Sequence, residues 1–170
     1  MDTIILLKKL FASKNEFAEA VLGDLTEENL NWTPSTTANS IGVNLLHVAG
    51  GDDYFLQECI QQKPMVWLSG SWAEKIGLAI PPGGTPESWQ IAKTTHLPLE
   101  PVLAYYRAVC DAADIYFEQL TELEVDRPVM MFGQPSSVGE FLVMILIHGT
   151  EHLGEIAALK GVQGCKGLPY

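Results

Sequence analysis

Basic residues are scarce in this 170-residue chain. It carries 10 Lys and Arg against 21 Asp and Glu, which gives a formal charge of −11 at pH 7. A chain of this charge is repelled by phosphate backbones, and no basic stripe along the sequence offsets that repulsion. The composition therefore argues against a nucleic-acid partner.

Cysteine is scarce as well. The three cysteines, Cys59, Cys110 and Cys165, are odd in number and widely spaced, and no two of them form a CxxC pair. An odd number of cysteines leaves at least one without a partner in the chain, and this pattern is not typical of a disulfide framework. We therefore expect reduced thiols and a cytoplasmic protein.

Long hydrophobic runs are missing too. The start of the chain has an early acid, Asp2, and only a short apolar run, so a secretory signal is not expected. The most apolar stretch lies near the C-terminus and is interrupted by His148, Glu151 and His152. We therefore predict that no window reaches the length of a membrane-spanning helix, and we expect no membrane partner.

The chain does have a high hydrophobic content and helical periodicity. It is 47% hydrophobic and 18% charged, and its length suits a single domain, residues 1–170, with a sizeable core. Apolar residues recur at three- and four-residue spacing in four stretches, and no stretch is a convincing strand. The four stretches are residues 3–22, 40–62, 101–123 and 137–160. The pattern predicts an all-α protein, a four-helix bundle.

A long insertion, residues 64–98, separates the second and third predicted helices. It is rich in Pro and Gly, and its three tryptophans, Trp67, Trp72 and Trp89, are too hydrophobic to stay in water. We therefore expect the insertion to be ordered on the bundle, with short helical turns near residues 71–77 and 86–94. Ordered insertions of this length are commonly functional, for example as the lid of a pocket. His96, in its tail, is interpreted as an exposed loop histidine.

The last predicted helix has clear start and stop signals. Ser137 and Glu140 have the spacing of a capping box, and Gly161 is the expected C-terminal stop. Its centre, residues 145–147, is apolar on all sides, which predicts that most of its circumference is buried.

Two histidines lie one turn apart on this helix. His148 and His152 share a face, so both imidazoles could bind one metal ion. The alternative is a pair of hydrogen-bonded core histidines. Glu151 precedes the second histidine, so the spacing is not the HExxH of metalloproteases. Glu155 projects onto the histidine face, where it could be a further ligand, a hydrogen-bond acceptor for a ligand, a base, or a glutamate in solvent.

A third histidine, His47, lies in the second predicted helix. Gly50, Gly51 and Tyr54 project to the same side as His47. Adjacent glycines inside a helix cost about 1 kcal/mol each relative to alanine, so they indicate either close packing of another segment or space kept open for a ligand. Tyr54 could place its hydroxyl near the same spot, or it could be a core aromatic with its hydroxyl at the rim.

Helical bundles build metal sites from side chains of facing helices, and three neutral histidines with an open position make a catalytic rather than a closed site. The segments WTPS…NSIGVNLLHVAGGDDYF, HGTEHLGEI and LKGVQGCKGLPY resemble those of the DinB superfamily of metal-dependent helical bundles. The resemblance implies that His47, His148 and His152 bind a divalent ion such as zinc, nickel or iron, and that the protein is a homodimer. Characterised relatives include thiol S-transferases that use bacillithiol, mycothiol or glutathione, and a mycothiol-dependent isomerase. Where members often have a glutamine, this chain has Glu155.

Four functions are compatible with these residues. The first is a metal-dependent transferase whose small-molecule partner is a low-molecular-weight thiol, with Tyr54 and Glu155 as candidate catalytic residues. The second is a metal-dependent hydrolase in which Glu155 is the base that activates water. The third is a binding module for a metal or small ligand without turnover. The last is a protein whose histidines only satisfy hydrogen bonds in the core.

Overall fold

The computed structural model describes residues 2–35 and 37–170, and this part of the chain is mostly helical. The helices are α1 Thr3–Leu22, α2 Glu27–Asn31, α3 Ile41–Asp53, which continues as a π-helix Tyr54–Ile60, α4 Val66–Ser69, α5 Trp72–Ile76, α6 Pro86–Thr94, α7 Leu99–Glu118, α8 Glu122–Val125 and α9 Val138–Val162. Strands β1 Pro128–Met131 and β2 Gln134–Ser137 form a two-stranded antiparallel sheet.

The start signals of α3 and α9 are confirmed, whereas the helix predicted over residues 101–123 begins at Leu99 and ends at Glu118. The Ser40 hydroxyl accepts from the Val43 N–H at the start of α3. Ser137 and Glu140 form the predicted capping box of α9, because each side chain bonds the other residue's backbone N–H. These bonds satisfy backbone donors that have no partner within the helix.

The stretch predicted as one helix over residues 40–62 changes type halfway. It is α-helical to Asp53 and a π-helix from Tyr54 to Ile60. The helix ends at Ile60, and Gln62, two residues further on, has a φ of 55°. A π-turn shifts every later side chain around the axis, so projection from a regular helix fails beyond Asp53.

No strand was expected in this chain, and that prediction was wrong for the segment before α9. Strands β1 and β2 are joined by Phe132 and Gly133, whose φ values are 51° and 79°. Two consecutive residues in the left-handed region are the signature of a type I′ hairpin turn. Asn or Asp normally stands in the first of these positions, so Phe132 concealed the signal in the sequence.

Helix α9 differs from its prediction in three respects. It continues through Gly161 to Val162, and the glycine with positive φ after it is Gly164. Its circumference is not mostly buried, because Val143 and Ile147 are exposed. It is also long and apolar enough to span a membrane by length and composition alone, contrary to expectation. Core helices of soluble proteins pass the same test.

Helix α3 is central to the packing. It lies against α7 and α9, and α1 packs on α9. The buried apolar residues form two clusters, one between α3, α7 and the insertion, and one around Phe11, Phe117 and Phe141 at the other end. The insertion joins the first cluster as predicted, since Trp67 and Trp72 are both buried there.

One buried carboxylate fastens the insertion to the helices. Asp53, the last residue of α3, is 0% exposed. Its carboxylate accepts from the Val66 N–H (2.8 Å), the Trp67 N–H (2.9 Å) and the Tyr105 hydroxyl (2.9 Å). Burial nevertheless raises the pKa of Asp53, because these hydrogen bonds offset only part of the desolvation. Asp53 therefore links α3, the insertion and α7 at a single point.

We expect Asp53→Leu to lower the free energy of unfolding by at least about 3 kcal/mol. The change leaves two buried donors and one part-buried donor without an acceptor, and each buried donor costs about 1–3 kcal/mol. Urea denaturation measures the loss. The matched control is Tyr105→Phe, which removes one of the three bonds and should cost about 1 kcal/mol. Equal losses in the two variants would show that Asp53 does not hold the insertion.

Candidate metal centre

His47 is oriented by the insertion. Its Nδ1 lies 3.0 Å from the Pro82 carbonyl oxygen, and its ring packs against Trp89 at a centroid distance of 4.6 Å and an interplanar angle of 44°. A carbonyl can only accept a hydrogen bond, so Nδ1 carries the proton. This tautomer leaves the lone pair on Nε2.

His148 and His152, on α9, approach His47 from across the helix interface. The Nε2 atoms of His148 and His47 are 3.0 Å apart, and the His152 ring centroid is 4.8 Å from each of the other two. The three residues offer one nitrogen each, all within 4.8 Å of one another. The structure therefore brings together the three histidines that the sequence selected.

The donor set fits a divalent ion. Two imidazole nitrogens at about 2.0–2.1 Å from a tetrahedral ion lie about 3.3–3.4 Å apart, close to the 3.0 Å between His47 and His148. Burial lowers the pKa of His148 to about 4, with a further contribution from His47. Burial also lowers the pKa of His47. Both rings are therefore neutral at pH 7, the state in which imidazole binds a metal.

Glu155 contacts a histidine rather than the space between the histidines. Its Oε2 lies 2.7 Å from His152 Nδ1, and its side chain is 56% exposed. The carboxylate accepts the Nδ1 proton, which leaves the His152 lone pair on Nε2. Among the roles considered for Glu155, the geometry favours that of an acceptor that orients His152.

Tyr54 is the first residue of the π-helix and is partly exposed. Its ring centroid lies 5.5 Å from that of Phe55. The pKa of its hydroxyl is raised, mainly by a hydrogen bond with the Cys59 thiol. It lines the same cavity as His47. The geometry thus favours a role for the Tyr54 side chain as part of the cavity wall.

The glycine pair of α3 makes room for two different groups. A Cβ on Gly50 would lie 2.4 Å from Pro81 Cβ, and one on Gly51 would lie 3.0 Å from His148 Cε1. Gly50 therefore permits close packing of the insertion, while Gly51 leaves room for a histidine ring. Of the two alternatives for this pair, close packing accounts for both Cβ positions, and both glycines also line the cavity beside His47.

A cavity of about 470 Å³ opens beside the histidines. His47 and His148 line it, and its walls come from the start of the π-helix, residues 65–84 of the insertion, and Phe132 at the hairpin tip. Sequence reasoning missed Phe132 and Pro82, because their positions depend on how the hairpin and the insertion fold back. The insertion does form one side of a pocket, as a lid would.

A buried ion pair lies behind the histidines and was also missed. Lys14 Nζ donates to Asp52 Oδ2 at 2.6 Å, and both residues are buried. The Lys14 side chain crosses Gly149, the neighbour of His148, since a Cβ there would lie 3.2 Å from Lys14 Cδ. Lys14 falls between the apolar positions of α1, where a solvent-facing residue is expected, and only its tertiary partner Asp52 explains its burial.

His96 lies apart from this group, as predicted. Its side chain is 70% exposed, and its Nε2 is 2.9 Å from the Glu27 carboxylate. The three cysteines are free and half-buried.

The fold and site define a mostly helical protein with a histidine triad that could hold a metal ion. The family model of the DinB superfamily matches residues 15–156, and the chain belongs to that superfamily. A solved structure described as the conserved protein of locus from Enterococcus faecalis shares the fold, with a TM-score of 0.79 and 22% sequence identity. The match covers 96% of this chain and 99% of that chain. The search of curated proteins found no match.

We expect Gly51→Ala to weaken metal binding about tenfold, the lower end of the effect of disturbing groups that orient metal ligands. The new Cβ would press on His148 Cε1 and displace the ring from its partners. Competition with a chromophoric zinc chelator measures the affinity.

The matched control is Gly154→Ala in α9. A Cβ at Gly154 meets nothing within 4 Å, so this variant should bind metal like the wild type. It should also be up to about 1 kcal/mol more stable, because alanine is the better helix former. Unchanged affinity in Gly51→Ala would mean that His148 is not a ligand or that its position tolerates the shift.

Proposed function

We propose that this protein is a metal-dependent transferase that joins a low-molecular-weight thiol to a small electrophile. The observation that carries the proposal is the histidine triad, with two of its members lining a cavity large enough for a small molecule. We propose His47, His148 and His152 as ligands of a zinc, nickel or iron ion. Such an ion supplies a full positive charge that stabilises a thiolate.

The residues around the triad prepare the ligands for this task. The Pro82 carbonyl and the Glu155 carboxylate each accept a proton from an Nδ1 atom, so that His47 and His152 direct their lone pairs inward. The cavity next to His47 and His148 would hold the electrophile near the sulfur and exclude water. In the transfer, the sulfur–carbon bond forms as the leaving group departs with its electron pair, and the thiol proton passes to solvent.

We infer that the long helices α1, α3 with its π-helix, α7 and α9 make up a four-helix bundle, with the insertion on one side. We further propose a homodimer, supported by the exposed apolar residues Leu6 and Leu10 of α1 and Val143 and Ile147 of α9. A cytoplasmic location would suit the three free cysteines.

The transferase makes a prediction about Glu155 that separates it from a hydrolase. Glu155→Gln keeps an oxygen that can accept from His152, so thiol transfer should fall only a few-fold. In a hydrolase whose water is activated by Glu155, the same change should cost about 10²–10⁴-fold. The assay follows consumption of glutathione and of cysteine with chlorodinitrobenzene, with zinc present and after its removal by a chelator.

The control variant is His96→Gln, which changes an exposed histidine away from the triad and should leave the rate unchanged. We expect thioether formation that requires metal and survives in Glu155→Gln. Hydrolysis of nitrophenyl acetate without any thiol, lost in Glu155→Gln, would contradict the transferase and support the hydrolase.

A further inference from the structure

Phe132 occupies an unfavourable backbone position. Its φ is 51°, in the left-handed region that bulky residues rarely adopt, and it stands where a type I′ turn favours Asn or Asp. Its side chain is also exposed, at 70%, although it is aromatic. Strain and exposure together at one residue point to a role other than stability.

The ring of Phe132 has a defined place at the cavity. It packs edge-on to Phe55 at a centroid distance of 5.7 Å and lies 6.3 Å from Phe141 of α9. Phe55 in turn lies 6.2 Å from His148. The hairpin therefore holds an aromatic ring at the mouth of the cavity, and one further ring connects it to the triad.

The mouth of the cavity is apolar on its other sides as well. Leu68 of α4 and Ile80 of the insertion line the cavity and are 67% and 55% exposed. Among the described residues that line the cavity, there is no Lys, Arg, Asp or Glu. An anionic substrate body would meet no cation in these walls, while the whole chain has a charge of −11.

We propose that this cavity takes the uncharged, apolar or aromatic body of the electrophile, and that Phe132 packs against that body and determines specificity. This inference rests on the proposed function for the identity of the reacting partner. The electrophilic carbon would lie toward His47 and His148, and the apolar body would lie between Phe55, Leu68 and Phe132. Burying the exposed rims of Leu68 and Phe132 against a ligand supplies the driving force.

The test compares two fluorescent probes that differ by one charge: neutral anilinonaphthalene and anilinonaphthalene sulfonate. Titrations of the purified protein in about 0.5 M NaCl screen the long-range repulsion between the chain and the sulfonate. They are performed with and without zinc. We expect the neutral probe to bind at least about tenfold more tightly than the sulfonate without zinc, since an unpaired buried charge is unfavourable. If the sulfonate binds as tightly as the neutral probe, or more tightly, in the absence of zinc, the proposal is overturned.

Phe132→Asn tests the residue itself. Asn tolerates positive φ, so the Tm of the variant protein should be unchanged or a few degrees higher. The neutral probe should bind to it about three- to tenfold more weakly. A ring that serves only packing would give a lower Tm and unchanged probe binding, and this result would overturn the specificity role. The matched control is Leu123→Asn, which changes an 84% exposed residue outside the cavity lining and should not affect the probe.

Leu68→Ser provides a second variant in case Phe132→Asn disturbs the hairpin. Leu68 belongs to α4 and not to the hairpin, and its exposed side chain contributes little to folding. The Leu68→Ser variant should also bind the neutral probe more weakly. Unchanged binding of that probe would count against the proposal. The probe assay without zinc requires neither metal nor thiol. If the apolar-substrate inference is wrong, the protein will lack selectivity for the neutral probe while thiol transfer is intact. If the transferase is wrong, thiol transfer will be absent while the selectivity for the neutral probe remains.

Discussion

The position of one buried carboxylate determines the shape of the site. Asp53 ends the α-helical part of α3, and it binds the backbone of Val66 and Trp67 together with the Tyr105 hydroxyl. Without this anchor, the first residues of the insertion would lie on the helices through apolar contacts, which are not directional. The three hydrogen bonds fix where the insertion begins, directly after the helix that carries His47. The wall of the cavity and the environment of His47 both follow from that point.

The anchored insertion then acts on the triad through two close approaches. Pro81 fits against Gly50, where a Cβ would lie 2.4 Å away, and Pro82 presents its carbonyl to His47 Nδ1. The first contact sets the distance between the insertion and α3, and the second sets the His47 tautomer. Glu155 performs the same task for His152 from within α9. Orientation of His47 and His152 therefore depends on two groups outside the triad, the Pro82 carbonyl and the Glu155 carboxylate.

The sequence predicted the local part of this arrangement. Helical spacing placed His148 and His152 on one face, the Ser137–Glu140 capping box started α9, and three tryptophans indicated a packed insertion. It could not predict what depends on distant segments. The π-helix after Asp53 has no distinct spacing, and Phe132 conceals a hairpin turn that Asn or Asp would have revealed. Lys14 looked like a surface residue because its partner Asp52 lies on another helix. Glu155 could not be assigned a role until its contact with His152 was known.

The central claim is that three histidines from two helices hold one divalent ion. The most direct measurement is the zinc content per chain after loading and extensive dialysis, by elemental analysis, for the wild type and for the combined His47→Ala, His148→Ala and His152→Ala variant. Near-UV circular dichroism of both proteins establishes that the variant is folded. The account predicts one zinc per wild-type chain and none in the folded variant. Equal zinc content in the two proteins would contradict it.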